Sequence, residues 1–362
     1  MVQSMSRRHL SGRHRGQLPF GRHGGRPASI IEAVTFELKP FRIGPIEIDL
    51  PLVLAALAGY SDQPFRMLCR DMGAPFCATE MLLDKSLLLN QKLRRRLVQL
   101  CDGDHPLAGQ LIGGEPHEMA AAAVQLSEMG LDVIDLNFAC PVRKALSRHR
   151  GGYLMKEPAR AIAITQAVLA AVDRPVTLKL RKSFDEADRD HAALWQIAEG
   201  AFDAGAAAIC IHARSVEAKY SGKADWDLLA RVKQRFADRV IIGSGDVRSA
   251  QAAIDMLAAT GVDAATAARG ALGNPWIFRQ VRDLAAGRPP HEPSLAEQHE
   301  TLRRHFDHAV TVYGPKRGPR IMRKFGIRYA RTHPHPKAVR MAFVAVKTPD
   351  QWHTVLDRHY EQ

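Results

Sequence analysis

The chain has 362 residues, 46% of them hydrophobic, which suffices for a large core and suggests one barrel-sized domain plus a smaller one. A formal charge of +13 and a pI of about 9.8 favour polyanionic partners, nucleic acid first among them. No apolar run approaches the roughly 20 residues of a membrane helix, no apolar h-region follows the basic start, and the five cysteines (Cys69, Cys77, Cys101, Cys140 and Cys210) include no C-x-x-C pair; a membrane segment, a secretory signal, a disulfide framework and a metal site are not expected, whereas a reducing cytoplasm is.

Residues 1–42 begin with Arg7, Arg8, Arg13, Arg15, Arg22 and Arg26, with no acid through Arg26 and Gly, Ser and His filling most of the gaps. Such a segment cannot bury a core and is expected to be a disordered basic extension. From Ile43 short apolar runs alternate with amphipathic stretches. Eight candidate strands follow: Leu52–Ala56, Phe76–Glu80, Leu107–Leu111, Val133–Asn137, Val176–Leu180, Ala208–His212, Val240–Ser244 and Ala264–Ala267. Helical patterns such as Pro116–Met129, Ala159–Ala171, His191–Ala204 and Ala250–Ala259 separate them, several ending near a glycine (Gly130, Gly205, Gly261) where a left-handed cap costs least. This alternation predicts a (β/α)8 TIM barrel over residues 43–288. A doubly wound open sheet is the alternative, but it would be expected to open on a G-x-G-x-x-G turn after the first strand, and none is present.

Pro289, Pro290 and Pro293 break the pattern. Beyond them Glu297–Thr311, Arg317–Arg331, Pro336–Val346 and Thr348–His359 read as helices, so residues 294–362 are expected to form a small all-helical C-terminal domain. Its middle carries Lys316, Arg317, Arg320, Arg323, Lys324, Arg328, Arg331, Lys337 and Arg340 with no acid between the first and last. A charge run is usually a solvated face; nine cations without an acid point to a polyanion-binding face.

In a barrel of this kind function gathers at the C-terminal ends of the strands. The polar residues there are Glu80, Gln110, Asp135, Asn137, Lys179, Arg181, His212, Arg214, Ser244-Gly245-Asp246 and Arg269-Gly270. Singly each could be a salt bridge or a polar plug. Together they suit a flavin: a glycine turn lets backbone N–H groups approach phosphate, Arg269 can grip the same anion, and Lys179 and His212 can place positive charge by the electron-accepting ring. Cys140, in the loop after the fourth strand with Arg143, Lys144, Arg148 and Arg150 close behind, is a candidate general acid; nearby cations would lower its pKa.

These residues also carry a resemblance. Ala55-Ala56-Leu57-Ala58-Gly59-Tyr60-Ser61-Asp62-Gln63-Pro64-Phe65-Arg66 resembles the opening motif of the tRNA-dihydrouridine synthases, A-P-M-A-G-x-T-D-x-P-F-R. Asp135-Leu136-Asn137-Phe138-Ala139-Cys140-Pro141 is similar to their D-x-N-x-G-C-P signature, Thr177-Leu178-Lys179-Leu180-Arg181 to T-x-K-x-R, Ile211-His212-Ala213-Arg214 to I-H-G-R, and Arg269-Gly270-Ala271-Leu272-Gly273-Asn274-Pro275-Trp276 to R-G-A-x-G-N-P-W. The resemblance implies FMN held by Ala56, Leu57, Gln110, Lys179, His212, Ser244, Asp246, Arg269 and Gly270, with NADPH as reductant. It implies a flipped-out uracil held by Asn137 and Arg181, with Arg143, Lys144 and Arg214 also on the substrate and Cys140 protonating C5. It implies tRNA gripped by Arg320, Arg323, Lys324 and Arg328, with no metal and no membrane, in a cytoplasmic monomer. The chain departs from the family at Ala56-Leu57 (usually Pro-Met), Ala139 (usually Gly), Ser244 (usually Asn) and the small-residue run Ala265–Ala268, which together predict weaker flavin contacts. Two other activities fit parts of the pattern: a flavin barrel acting on a free pyrimidine, as dihydroorotate dehydrogenases do, and a redox-silent tRNA-binding protein.

Overall fold

The computed structural model describes residues 36–361; the Arg-rich segment expected to be disordered lies outside the described residues. The described residues form one compact unit. Eight parallel strands close into a barrel: β1 (Leu52–Leu54), β2 (Cys77–Ala78), β3 (Leu107–Ile112), β4 (Val133–Asn137), β5 (Val176–Arg181), β6 (Ala208–His212), β7 (Ile241–Ser244) and β8 (Ala264–Ala267). Each pairs with the next, and β8 returns to β1 with Thr266 opposite Val53, so these eight strands leave no open edge. All eight fall on the expected segments. The run Ala264–Ala267 forms β8 despite its small side chains. β2 is shorter than expected because at Thr79 the side-chain hydroxyl, rather than the backbone, accepts the Gln110 N–H at 3.1 Å. A two-residue strand, Leu82–Leu83, adds onto β3 and was not foreseen.

The period of two along each strand sorts the residues. Leu111, Ile134, Leu136, Leu178, Leu180, Ile209 and Ile211 belong to the buried cluster that also holds Met119, Leu126, Ile164, Val168 and Ile197 of the surrounding helices. The alternate positions face the barrel interior. There the lower residues are apolar (Val53, Ala108, Val133, Ala208, Ile242) and pack with Phe41, Ile43 and Ile48. Those three come from an antiparallel hairpin, Phe41–Ile43 with Ile46–Ile48, that plugs the base of the barrel. Phe41 and Arg42, assigned above to the N-terminal extension, are part of it. Farther up, the interior turns polar: Gln110, Asp135 then Asn137, Thr177 then Lys179 then Arg181, Cys210 then His212, Ser244, Thr266.

The C-terminal region forms four helices, Leu295–Tyr313, Gly318–Tyr329, Pro336–Ala345 and Pro349–Tyr360. A box of Ser294 and Glu297 caps the first. The interior of this region is aromatic, with Phe306 stacked on Trp352 at 4.8 Å and Phe343 against Trp352 at 4.8 Å. The region packs directly on the barrel. Phe325 meets Phe65 of the helix Gln63–Asp71 at 5.2 Å. At Gly273 (φ +82°), in the loop after β8, an added Cβ would lie 2.6 Å from the Arg328 backbone, so only glycine allows that approach. No helix of the described residues is long and apolar enough to cross a membrane.

Candidate active site

A cavity of about 470 Å³ opens at the C-terminal end of the strands. Of the residues singled out above, Ala56, Leu57, Gln110, Asn137, Cys140, Lys179, Arg181, His212, Ser244, Asp246 and Arg269 line it. Gly270 lies directly behind Arg269, where a Cβ would strike the Val247 carbonyl at 2.7 Å. Arg143 and Lys144 are exposed on a short helix, Arg143–Leu146, just past the lining residues Pro141 and Val142.

Beneath the cavity is a hydrogen-bonded ladder. Asp135 is half-buried, and it accepts from Gln110 Nε2 at 2.7 Å and Thr177 Oγ1 at 2.8 Å. Burial raises its pKa, and the two donors and Lys179 oppose that. Gln110 Oε1 in turn accepts from Asn137 Nδ2 at 2.7 Å. Asn137 Oδ1 accepts the backbone N–H groups of Ala139 and Cys140 at 3.0 and 2.9 Å. The Cys140 carbonyl accepts from Gly152 N at 3.0 Å, so the cysteine backbone is fixed from both sides. Asn137 is left with one free N–H to offer. Arg181 likewise has fewer free groups than its type suggests: Nε donates to the Ala139 carbonyl at 2.8 Å, and one terminal nitrogen to the carbonyls of Ser215 and Lys219 at 2.8 and 2.7 Å. Only its other terminal nitrogen remains.

Two electrostatic expectations are corrected. The basic residues after Cys140 do not lower its pKa: burial raises it above the usual thiol value, opposed by a bond to the Val142 backbone and by Arg181. The thiol is therefore held protonated at neutral pH. His212 carries no charge: burial first, then Arg181, Lys179, Arg214 and Arg269, pull its pKa down to about 2. The positive charge rests on Lys179, whose Nζ bonds Cys210 Sγ at 3.1 Å, and on the arginines.

The departures from the family motifs have local compensations. Without proline, the turn at Ala56-Leu57 is held by Ser61, whose Oγ accepts the Leu57 N–H at 2.8 Å. Ser244 Oγ lies 3.2 Å from His212 Nδ1 and fixes that ring. His212 Nε2 is left buried with no partner. Arg214 is buried and does not line the cavity; it grips the Asp246 carboxylate at 2.7 and 2.6 Å, which also accepts Ala224 N at 2.8 Å. Gly245 between them has φ +131°, and a Cβ there would lie 2.6 Å from that of Ala224.

Several lining residues were missed: Tyr60, Tyr220, Arg248 and Thr266 among them. Arg248 follows Asp246 by two residues, just before Ser249, which caps the helix Ala250–Thr260. Burial first, and Arg248 after it, lower the pKa of Arg269, and both arginines line the cavity. Cation plus helix start in one loop was a readable anion signal. Tyr220 stacks under Arg269 at 4.5 Å and reaches Arg181 at 5.7 Å.

The helical region supplies the far wall. Arg328 lines the cavity. Arg317, Arg320, Lys324, Arg328 and Arg331 recur at spacings of three, four, four and three, which puts them on one face of the helix Gly318–Tyr329 and its flanks. Arg323 points off that face and is half-buried, its Nε 3.5 Å from the Arg320 carbonyl. Lys324 Nζ donates to the Gly59 carbonyl and lies 5.1 Å above the Tyr60 ring, which Arg328 also approaches at 5.7 Å. Like charges so spaced repel along a helix, and an anionic partner would relieve the cost.

Comparison with known proteins agrees with this architecture. The dihydrouridine synthase (Dus) family description matches residues 53–362. A probable tRNA-dihydrouridine synthase of Mycobacterium tuberculosis is 36% identical over 332 residues, covering 88% of this chain and 84% of that protein. tRNA-dihydrouridine synthase B of Pseudomonas syringae pv. tomato is 37% identical over 304 residues, covering 83% and 89%. Among solved structures, a 2-naphthoyl-CoA reductase complex matches with TM-score 0.55 and 13% identity over 69% of this chain, and histamine dehydrogenase from Rhizobium sp. 4-9 with 0.53 and 14% over 68%. The chain spans about half the length of those two structures (52% and 48%), and they bear on the fold alone.

Proposed function

The chain belongs to the dihydrouridine synthase family, and from that premise we propose that it is a tRNA-dihydrouridine synthase that reduces the C5=C6 bond of particular uridines, with FMN in the barrel mouth and NADPH as reductant. The observation that carries the reading is one cavity combining a protonated thiol with cations and an unpartnered imidazole nitrogen.

The residues present fit the flavin. His212 Nε2 is a buried polar atom with no partner in the protein, which a ligand atom would satisfy. Arg248, just before the helix Ala250–Thr260, and Arg269, just after β8, both line the cavity, and the helix start beside Arg248 is a suitable place for a phosphate. Lys179, Gln110 and the turn at Ala56-Leu57 would border the ring, with Ser244 and Asp246 acting through His212 and Arg214. When bound, FMN supplies hydride transfer from NADPH to C6 of the uracil. Cys140 delivers the proton to C5, and burial keeps that proton in place until it is needed. Asn137 positions the Cys140 backbone and offers its remaining N–H to the base, while Arg181 offers its free terminal nitrogen. Arg143 and Lys144 at the rim and the cations of the helical region face the phosphates around an extruded nucleotide. The cytoplasm, where tRNA is modified, is the natural setting.

The test is to incubate unmodified tRNA with the purified protein, FMN and NADPH and to measure dihydrouridine by mass spectrometry. Product in tRNA supports the reading. Turnover of free uracil or orotate with none in tRNA would favour the small-pyrimidine enzyme, and tRNA binding without flavin colour the redox-silent protein.

A further inference from the structure

A second cationic element lies on the barrel, away from the cavity. After the strand Leu82–Leu83 the chain forms two short helices, Asp84–Leu89 and Gln91–Val98. The second carries Lys92, Arg94, Arg95 and Arg96, with no acid between Asp84 and Asp102. Lys92, Arg95 and Arg96 are exposed, and among the described residues none of the four is in an ion pair. Arg94 is tied to the Leu87 carbonyl at 3.0 Å and holds the two helices together. Beside the helix runs an open groove of about 500 Å³, lined by Gln91, Arg94, Arg95, Gln99, Gln125 and Glu128.

This element is joined to the cationic face of the helical region. Gln99 ends the helix in a left-handed conformation (φ 50°), and its side-chain amide lies 3.3 Å from the Tyr313 hydroxyl, whose hydrogen goes to Asp62. Arg317 lies over the Tyr313 ring at 5.5 Å. From Arg317 the row of cations runs along its helix for about 20 Å at 1.5 Å per residue and passes the cavity at Arg328.

Resting on the proposed tRNA activity, we propose that the helix Gln91–Val98 and its groove form a second RNA-contact surface, which together with the row from Arg317 to Arg331 makes one continuous track for a tRNA backbone leading to the cavity. Unpaired arginines and a lysine match a phosphate backbone, and the amides of Gln91, Gln99 and Gln125 suit ribose hydroxyls and the edges of unpaired bases. Glu128 accepts from Gln125 Nε2 at 3.0 Å, and its negative charge would disfavour phosphate on that side of the groove. The exposed Leu88, Leu89 and Leu97 beside the cations raise the question of an anionic membrane instead. An eight-residue helix offers little apolar area for that, and its continuity with the cavity argues for RNA.

The test compares the full-length protein with a triple variant, Lys92→Ala, Arg95→Ala and Arg96→Ala, leaving Arg94 in its structural role. Binding of an unmodified tRNA transcript is measured across a salt series. The variant is expected to bind about tenfold or more weakly near 0.15 M salt, with the slope of log affinity against log salt shallower by about 2 to 3. NADPH-driven flavin reduction without tRNA and the thermal midpoint should be unmoved. Equal affinity and slope for both proteins would overturn the second surface while leaving the proposed activity intact; failure of the unaltered protein to bind tRNA at all would overturn the activity itself. Loss of binding to phosphatidylserine vesicles in the variant, with tRNA binding unchanged, would also overturn the RNA assignment.

Discussion

Asp62 links the cavity turn, the first barrel helix and the helical region, and its ionisation can be read as stability. It is buried; Oδ1 caps the helix Gln63–Asp71 by accepting Phe65 N at 3.2 Å, and Oδ2 accepts Tyr313 OH at 2.9 Å. Burial, with Glu80 adding to it, outweighs Lys324 and the Tyr313 bond and raises the Asp62 pKa from 3.8 to about 6. A folded-state pKa above the unfolded value means that the protonated form contributes stability in full below pH 3.8, and that this is lost as pH rises through about 6. At 1.36 kcal/mol per pH unit the whole effect is about 3 kcal/mol, of which about 2 kcal/mol falls between pH 4.5 and 7.5. Asparagine caps helices as well as aspartate and does not titrate. Asp62→Asn is therefore expected to gain about 2 kcal/mol on the unaltered protein across that interval, measured by urea unfolding at each pH. Because all other titrating groups are common to both proteins, their contributions cancel. A difference between the two that stays constant with pH would refute the argument that Asp62 is ionised against its environment.

Cys140→Ala should lower kcat for dihydrouridine formation by about 10²- to 10⁴-fold, the usual worth of a positioned acid, while the visible absorbance of bound flavin survives; undiminished turnover would remove the thiol from the mechanism. Because burial raises the Cys140 pKa above 9.0, the rate should stay level through neutral pH and fall only in stronger alkali, so a decline centred below pH 8 in the pH–rate profile would contradict the assignment. Gly245→Ala forces a side chain into φ +131° and against Ala224, and is expected to cost about 1–3 kcal/mol in a thermal melt and to weaken flavin retention on gel filtration. Asp246→Ala leaves the buried Arg214 without its partner and should cost about 3 kcal/mol or more, seen as a drop in the urea midpoint.

The barrel was legible because its signal is redundant. Eight apolar runs alternate with helical patterns, and glycines at positive φ (Gly130, Gly205, Gly261) end helices where the sequence places them. What escaped notice were elements too short to show a period. The hairpin Phe41–Ile43 with Ile46–Ile48 has three residues on each side, and the strand Leu82–Leu83 has two. Their places are set by the barrel they plug or extend, a tertiary cause that local pattern does not carry.

The site was legible by residue type and less so by charge state and partner. Alternation along β4, β5 and β6 puts Asn137, Lys179 and His212 on the inner face whatever else the chain does, so their convergence follows from period two alone. Whether a cation is available to a ligand depends on which carbonyls lie nearby, and those come from loops distant in sequence. Arg181 is taken up by Ala139, Ser215 and Lys219, and Arg214 by Asp246, Ser221 and Gly222. The same crowding that concentrates positive charge at the rim strips it from His212, because a buried imidazole among arginines is more stable neutral. A cluster of cations in sequence therefore points to where an anion belongs, while the hydrogen-bond partners decide which of the cations will meet it; here Lys179, Arg248 and Arg269 keep free donors toward the cavity, and Arg248 is the one that the motifs did not suggest.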